Sequence, residues 1–109
     1  MRYALLICRD ENAGAGTEPA QLAGFAALAE KLGDRLVGST RLRPVATATT
    51  VRVRGGDVVI ADGPFAETKE QIGGYFVVDC KDLDEAIELA GKIPGARHGA
   101  IEVRPIWEM

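Results

Sequence analysis

Histidine and cysteine are scarce in this sequence, whose 109 residues include one histidine, His98, and two cysteines, Cys8 and Cys80. Two cysteines are too few for the disulfide framework of a small secreted domain. No pair of these residues has the spacing of a structural zinc site, so we predict no metal and no cofactor. Any chemistry would therefore use carboxylates, lysine, arginine, threonine, tyrosine or a lone thiol.

The chain also lacks an excess of basic charge and a long apolar run. Thirteen basic and sixteen acidic residues give a net charge of −3, which argues against a nucleic-acid-binding protein. No apolar run approaches about 20 residues, and the first residues do not have the pattern of a signal peptide. The glycine motif of dinucleotide sites and the nucleophile elbow are absent as well. We therefore expect one cytoplasmic domain over residues 1–109, with no membrane or nucleic-acid partner.

Strand-like and helix-like segments alternate along the chain. A Gly55-Gly56 turn between two β-rich runs predicts a hairpin, and an Asp82-x-x-Glu85 capping box predicts the start of a helix. The predicted elements are, in chain order, strand Arg2–Cys8, a helix capped by Thr17 and ended by Gly33, strand Leu36–Arg43, hairpin strands Thr47–Arg54 and Val58–Ile60, strand Gly73–Cys80, a helix from Asp82 with the apolar stripe Leu83, Ala86, Ile87 and Ala90, and strand Ala100–Ile106. This order predicts an α+β fold, a ferredoxin-like split βαβ sheet with an inserted β-hairpin.

Two helices cover only one face of such a sheet. Tyr75 and Val77 make the other face partly apolar, so we expect a homodimer in which a second copy covers it. In this topology Cys8 and Cys80 lie at opposite ends of the sheet, roughly 20 Å apart at about 3.3 Å per residue. A disulfide needs Cα atoms within about 7 Å, so we expect two unpaired, buried thiols.

The most informative segment runs from Asp62 to Tyr75 and reads DGPFAETKEQIGGY. Its polar part is too long for a tight turn and places acidic, basic and hydroxyl groups close together. Gly63 and the Gly73-Gly74 pair allow unusual backbone angles or the close approach of a ligand, and Pro64 fixes the path of the loop. Loops held by a rigid scaffold are where function tends to lie.

This segment resembles the hallmark of the YCII-related family, in its DGPF-domain branch. The run ATATTVRVR at residues 46–54, the segment DLDEA at 82–86, Ile93-Pro94 and the tail EVRP at 102–105 are similar to the same branch. The resemblance covers essentially the whole chain. It implies a ferredoxin-like fold that dimerises through its sheets as a dimeric α/β barrel, with a small-molecule cleft beside the DGPF loop.

The resemblance also bears on activity. The wider family and its structural relatives include lyases and isomerases of small ring compounds, and members of the branch are often encoded beside extracytoplasmic-function sigma factors. The classical branch resembles a His–Asp enzyme, but Gln21 stands here where that histidine would be. Because glutamine takes no proton at neutral pH, that mechanism does not transfer. His98 lies beyond the second helix, where we expect a solvated loop residue.

We predict that the chemistry rests on Asp62, Glu70 and Lys69, the carboxylates by proton transfer and the lysine by binding an anion or stabilising an enolate-like charge. The predicted substrate-binding residues are Gly63, Pro64, Phe65, Thr68, Tyr75 and Arg104. Structural roles stay open for several of them: a turn contact for Asp62, a brace for Thr68, packing for Phe65, and ion pairing across the dimer for Arg104 together with Glu102. The face on which Tyr75 lies depends on register. Glu67 is expected to be solvated, and so are Asp10 and Glu11, although this sheet order could bring the end of the first strand towards the pocket.

Two functions remain open, and the sequence does not decide whether the protein is an enzyme. The first is an enzyme that binds or transforms a small anionic or carbonyl-containing molecule by lyase- or isomerase-like proton transfer. The second is a non-catalytic regulatory protein or sensor associated with a sigma factor. An arginine-rich strand face with Arg52 and Arg54 favours an acidic partner surface for the second function.

Overall fold

A computed structural model of the protein describes residues 1–13 and 19–108. Its helices and strands are β1 (Arg2–Arg9), α1 (Pro19–Leu32), β2 (Leu36–Arg41), β3 (Thr49–Arg54), β4 (Asp57–Asp62), β5 (Gln71–Asp79), α2 (Leu83–Gly91) and β6 (Ala100–Pro105). The predicted order of elements is confirmed, with differences of one or two residues at most boundaries. The predicted cap Thr17 lies outside the described residues.

The main sheet has four strands in the order β2-β5-β1-β6, and all of its neighbours are antiparallel. This is the strand order of a ferredoxin-like α+β fold, in which the first and third core strands are central neighbours. Strands β3 and β4 form a separate two-stranded sheet through a hairpin at Gly55-Gly56. Both turn glycines have positive φ, 58° and 84°, a backbone that matches the twist of a two-residue hairpin.

The core lies on one face of the main sheet. Alternate residues of β1 (Tyr3, Leu5, Ile7) are buried there, as period-two strand geometry requires. Leu28 and Leu32 of α1 belong to the same cluster, which continues across β5 and α2 with Phe76, Val78, Cys80, Ala86, Leu89, Ala90 and Ile93. Phe25 packs edge-on against Phe76, with ring centroids 6.2 Å apart.

Helix α2 begins as predicted, and two of the four residues of its predicted stripe, Ala86 and Ala90, are buried. The Asp82 carboxylate accepts a hydrogen bond from the Glu85 N–H at 2.9 Å, while the Glu85 side chain lies near Arg35 at 3.9 Å. Leu83 and Ile87, predicted to face the core, are about half exposed. The buried face of the helix is completed by Leu89, and Ile93, just after the helix, continues the same i, i+3, i+4, i+7 spacing from Ala86.

The two cysteines lie at opposite ends of the sheet and are unpaired, as predicted. The Cys80 N–H donates to the Met1 carbonyl at 2.7 Å, whereas Cys8 pairs with Ile72 and Ala100 at the other end. Cys80 is buried, but Cys8 is only partly buried. Neither described helix is both long and apolar enough to cross a membrane.

The Gly73-Gly74 pair does not serve as expected. Positive φ occurs at neither glycine. A Cβ at Gly74 would lie 2.6 Å from the Thr40 carbonyl oxygen of β2, and one at Gly73 would lie 3.2 Å from the Arg9 Nε. The close approach that these glycines permit is therefore to the protein's own neighbouring groups.

Candidate functional site

The DGPF loop begins with a left-handed glycine tied to the base of the hairpin. Gly63 has a backbone φ of 99°, a conformation that residues other than glycine rarely adopt. Its N–H donates to the Ala48 carbonyl at 2.8 Å, and its own carbonyl accepts from the Thr50 hydroxyl at 2.8 Å. These two bonds fix the direction in which the chain leaves β4. Asp62 is exposed at the end of β4, opposite Thr49.

Phe65 folds back over one face of the hairpin. The Arg52 guanidinium carbon lies 5.6 Å from the centroid of its ring, within the range of a cation–π contact. The ring is otherwise 80% exposed. The loop and the hairpin are therefore held together by this contact and by the bonds of Gly63.

Side chains of the loop brace its second half. The Gln71 amide donates to the carbonyls of Ala66 at 3.0 Å and Thr68 at 3.1 Å. The Thr68 hydroxyl donates to the Glu70 carbonyl at 2.6 Å. Because this bond uses the Thr68 hydroxyl proton, the structure favours the bracing role that the sequence analysis left open for Thr68.

The facing wall comes from the segment after β1. The Asp10 carboxylate accepts from the Asn12 N–H at 2.9 Å and closes a local turn. Both carboxylate oxygens of Glu11 accept from the Val45 N–H, at 3.1 and 3.2 Å. Glu11 thus ties the end of β1 to the connection between β2 and β3, which lies far from it in sequence.

A cleft of about 350 Å³ lies between these two walls. Three carboxylates and one ammonium group belong to its lining, so the lining is predominantly acidic. The lining residues are Asp10, Glu11, Asn12, Val45, Ala46, Gly63, Pro64, Glu67, Thr68, Lys69 and Gln71.

Four of the predicted site residues, Gly63, Pro64, Thr68 and Lys69, line this cleft. Five others, namely Asp62, Phe65, Glu70, Tyr75 and Arg104, are not among its lining residues. Asp10, Glu11 and Glu67, which we expected to be solvated, do line it. The polar triplet Asp-Glu-Asn directly after a buried strand was the available signal for this wall, since strand ends commonly border ligand sites.

Two of these five residues, Tyr75 and Arg104, lie on the open face of the main sheet. Tyr75 pairs with Leu6, and Leu6 pairs with Glu102, so the three lie in one row across β5, β1 and β6. The Arg104 Nε lies 2.7 Å from a Glu102 carboxylate oxygen, and both side chains are largely exposed. The structural role left open for this pair, an ion pair, is therefore present within one chain.

Cys8 lies near the end of β1, opposite Ile72 at the start of β5 and Ala100 at the start of β6. Burial raises the pKa of its thiol, and the negative charges of Glu102 and then Glu70 raise that pKa further. The thiolate form is therefore disfavoured, which argues against a nucleophilic role for Cys8. Glu70 thus lies within electrostatic range of the open face.

His98 is exposed, and its backbone N–H donates to the Gly95 carbonyl at 3.2 Å, in agreement with a loop position. Gln21 lies in α1, but its side chain falls outside what the structure describes. Within residues 1–13 and 19–108, no group of three or more His, Cys, Asp or Glu side chains is placed to hold a metal ion.

Comparison with known proteins agrees with this architecture. The model of the YCII-related domain matches residues 1–109. The chain belongs to the YCII-related family. Among curated proteins, an uncharacterized protein from Rhizobium meliloti (strain 1021) is 46% identical over 68 residues. That match covers 61% of this chain and 55% of the Rhizobium protein, so it spans little more than half of that relative's length.

Proposed function

We propose that this YCII-related protein binds a small polar molecule in the cleft between the DGPF loop and the segment after β1. The observation that carries the proposal is a cleft of about 350 Å³ whose two walls are each fixed by hydrogen bonds. That volume falls at the lower end of the range for small-molecule sites. We place the chain in the DGPF branch because of its loop sequence.

The lining suggests the chemistry of the ligand. Among the described lining residues, Lys69 alone supplies an ammonium group, which suits a carboxylate or carbonyl oxygen. Asp10 and Glu67 suit hydroxyl or ammonium donors. A ligand that combines a carbonyl or carboxylate with such donors satisfies both groups of side chains, which narrows the anionic or carbonyl-containing class expected from the sequence.

A lyase- or isomerase-like proton transfer is the reaction that this site would support. A lining carboxylate would take the proton, and the Lys69 ammonium would stabilise the developing oxyanion. Asp10 and Glu67 are nearer candidates for the base than Asp62 and Glu70, which do not line the cleft of the single chain.

The test is a thermal-shift screen with small carboxylates, enols, quinones and ring lactones. A ligand that stabilises the wild type should lose its effect in Lys69→Met, which keeps the aliphatic stem but removes the charge. Lys81→Met, at the opposite end of the sheet, is the matched control and should keep the full shift. Asp10→Asn retains an oxygen for the Asn12 turn and isolates the effect of the carboxylate charge.

Two results of this screen would count against the cleft. A stabilising ligand whose effect survives both Lys69→Met and Asp10→Asn would bind elsewhere. If the effect is lost only in Asp62→Asn, the ligand binds at Asp62, as first predicted from the sequence, and not in the cleft.

The second candidate function is a regulatory protein that binds an acidic surface, such as that of an extracytoplasmic-function sigma factor. The exposed side chains of Arg41, Arg43 and Arg54 favour it, whereas Arg52 is partly covered and contacts Phe65. A pull-down at low salt should recover the sigma factor, and Arg54→Gln or added salt should weaken its capture. Arg97→Gln, in the turn between α2 and β6, is the control, and capture that resists salt would contradict this function.

A further inference from the structure

Two side chains of the cleft carry opposite charges that the chain itself leaves unpaired. Glu67 and Lys69 both line the cleft and stand two residues apart in the DGPF loop. Among residues 1–13 and 19–108, neither side chain has an ion-pair or hydrogen-bond partner, so these two do not neutralise each other either. Both are exposed, so the carboxylate and the ammonium group are each free to meet a ligand.

The other two carboxylates of the lining differ in how far the protein uses them. Both oxygens of Glu11 accept from the Val45 N–H, so Glu11 serves to hold the wall. Asp10 uses its Oδ1 for the turn with Asn12, and its Oδ2 has no hydrogen-bond partner within the described part of the chain. The cleft therefore combines free acceptor oxygens on Asp10 and Glu67 with the free donors of Lys69.

The charge balance of the lining discriminates between classes of ligand. Three carboxylates against one ammonium group give the described lining a net charge of −2. A molecule whose only charge is a carboxylate would pair with Lys69, but it would also bring a like charge close to Asp10 and Glu67. A molecule whose only charge is an ammonium group would pair with the carboxylates and leave Lys69 without a counter-charge. A molecule that carries both charges satisfies both sets of side chains.

We propose that the cleft binds a zwitterion, a small molecule with an ammonium and a carboxylate group on one skeleton. Its carboxylate pairs with Lys69, and its ammonium group lies against Asp10 and Glu67. Hydrogen bonds between charged partners are stronger than neutral ones, and two of them at opposite ends of a ligand fix its orientation. This inference rests on the proposed function, because it names the class of molecule that the same cleft binds.

The test is an NMR titration of the isotope-labelled full chain with matched sets of small compounds. The zwitterions are glycine, β-alanine and γ-aminobutyrate, which differ in the separation of their two charges. Each is compared with the carboxylate that lacks its amine (acetate, propionate, butyrate) and with the amine that lacks its carboxylate (methylamine, ethylamine, propylamine). At least one zwitterion should shift the amides of Thr68–Gln71 and should bind about tenfold more tightly than both of its matched compounds.

Two variants separate the roles of the two ends of the ligand. The double variant Asp10→Asn, Glu67→Gln keeps a side-chain oxygen at both positions. It should weaken the zwitterion about tenfold without weakening the matched carboxylate. Lys69→Met should weaken the zwitterion by a similar factor without weakening the matched amine. A purely structural effect would weaken both compounds of a pair. Glu88→Gln, exposed on α2 and outside the lining, is the control and should change none of these affinities.

The compounds without an amine distinguish failure of this inference from failure of the proposed function. A plain carboxylate that binds as tightly as its aminated counterpart, and that loses its binding in Lys69→Met, would overturn the zwitterion and leave the cleft as a small-molecule site. A zwitterion whose affinity survives the double variant would overturn the inference as well. If the zwitterions and every compound of the thermal-shift screen fail to bind, the proposed function is wrong and this inference falls with it.

Discussion

Cys80 illustrates how one buried side chain makes stability depend on pH. Burial raises the pKa of its thiol, and the charge of Glu85 and a hydrogen bond to it raise that pKa further, against the opposing charge of Arg35. Cys8 has a raised pKa as well, chiefly through burial. In the unfolded chain both thiols ionise at lower pH than they do in the folded protein.

We therefore expect the free energy of unfolding to fall as the pH rises above about 8.5, where thiols of the unfolded chain begin to ionise. The stabilising contribution is complete below that pH and is lost towards the folded pKa. Urea denaturation between pH 7 and pH 10 measures it. The double variant Cys8→Ala, Cys80→Ala should show a shallower decline than the wild type, and parallel declines would contradict the assignment to the thiols.

At the scale of elements, helix α2 owes its first turn to one hydrogen bond. The Asp82 carboxylate accepts from the Glu85 N–H and satisfies one of the free donors at the helix start. The Glu85 side chain is engaged near Arg35 and Cys80 instead of completing the box. The cap therefore depends on Asp82 alone.

Asp82→Ala should lower the free energy of unfolding by about 1 kcal/mol, the usual cost of losing such a cap. Chemical denaturation measures the change. Asp82→Asn keeps a side-chain oxygen in the same place and should stay close to the wild type. An equal loss in both variants would mean that the negative charge at the helix start, and not the hydrogen bond, supplies the stabilisation.

The elements themselves were predictable because each has a strong local signal. The hairpin was predicted from the Gly55-Gly56 pair between β-rich runs, and both glycines have the positive φ that such a turn needs. Strand β1 was predicted from a short apolar segment. The predicted stripe of α2 is right for Ala86 and Ala90 but wrong for Leu83 and Ile87, because Leu83 and Leu89 support two overlapping helical patterns. Only packing against the sheet selects the one that contains Leu89.

The site was less predictable than the fold. The loop was identified from its sequence, but its facing wall depends on Glu11 reaching Val45, a contact between residues distant in the chain. Tyr75 shows the second difficulty, since a shift of one residue in strand register moves a side chain to the other face. Pairing with Leu6 places it on the open face of the sheet.

At the scale of the whole molecule, the chain is flat and extended, with principal dimensions of 46, 38 and 19 Å. A four-stranded sheet covered on one face, together with a hairpin that forms a separate two-stranded sheet, produces this shape. In the homodimer that we expect from the sequence, its uncovered apolar surfaces would make folding and association parts of one process.

The melting temperature should therefore depend on protein concentration. For a dimer of this size, each tenfold dilution should lower the melting temperature by about 3 °C. The reason is that a tenfold lower concentration favours dissociation into unfolded monomers by about 1.4 kcal/mol. Scanning calorimetry over a hundredfold range of concentration measures the effect. A melting temperature independent of concentration would show that the chain unfolds as a monomer.

The hairpin also has a consequence for the newly made chain, before any partner is available. The run Val58–Ala61 combines β-branched residues with an exposed edge, the pattern of segments that aggregate. Asp57 and Asp62 bracket this run at the two ends of β4. In an edge-to-edge stack of identical strands their carboxylates would be brought together and repel each other. We therefore expect Asp57 and Asp62 to disfavour stacking of this edge, and replacing both by asparagine to increase aggregation of the refolding chain.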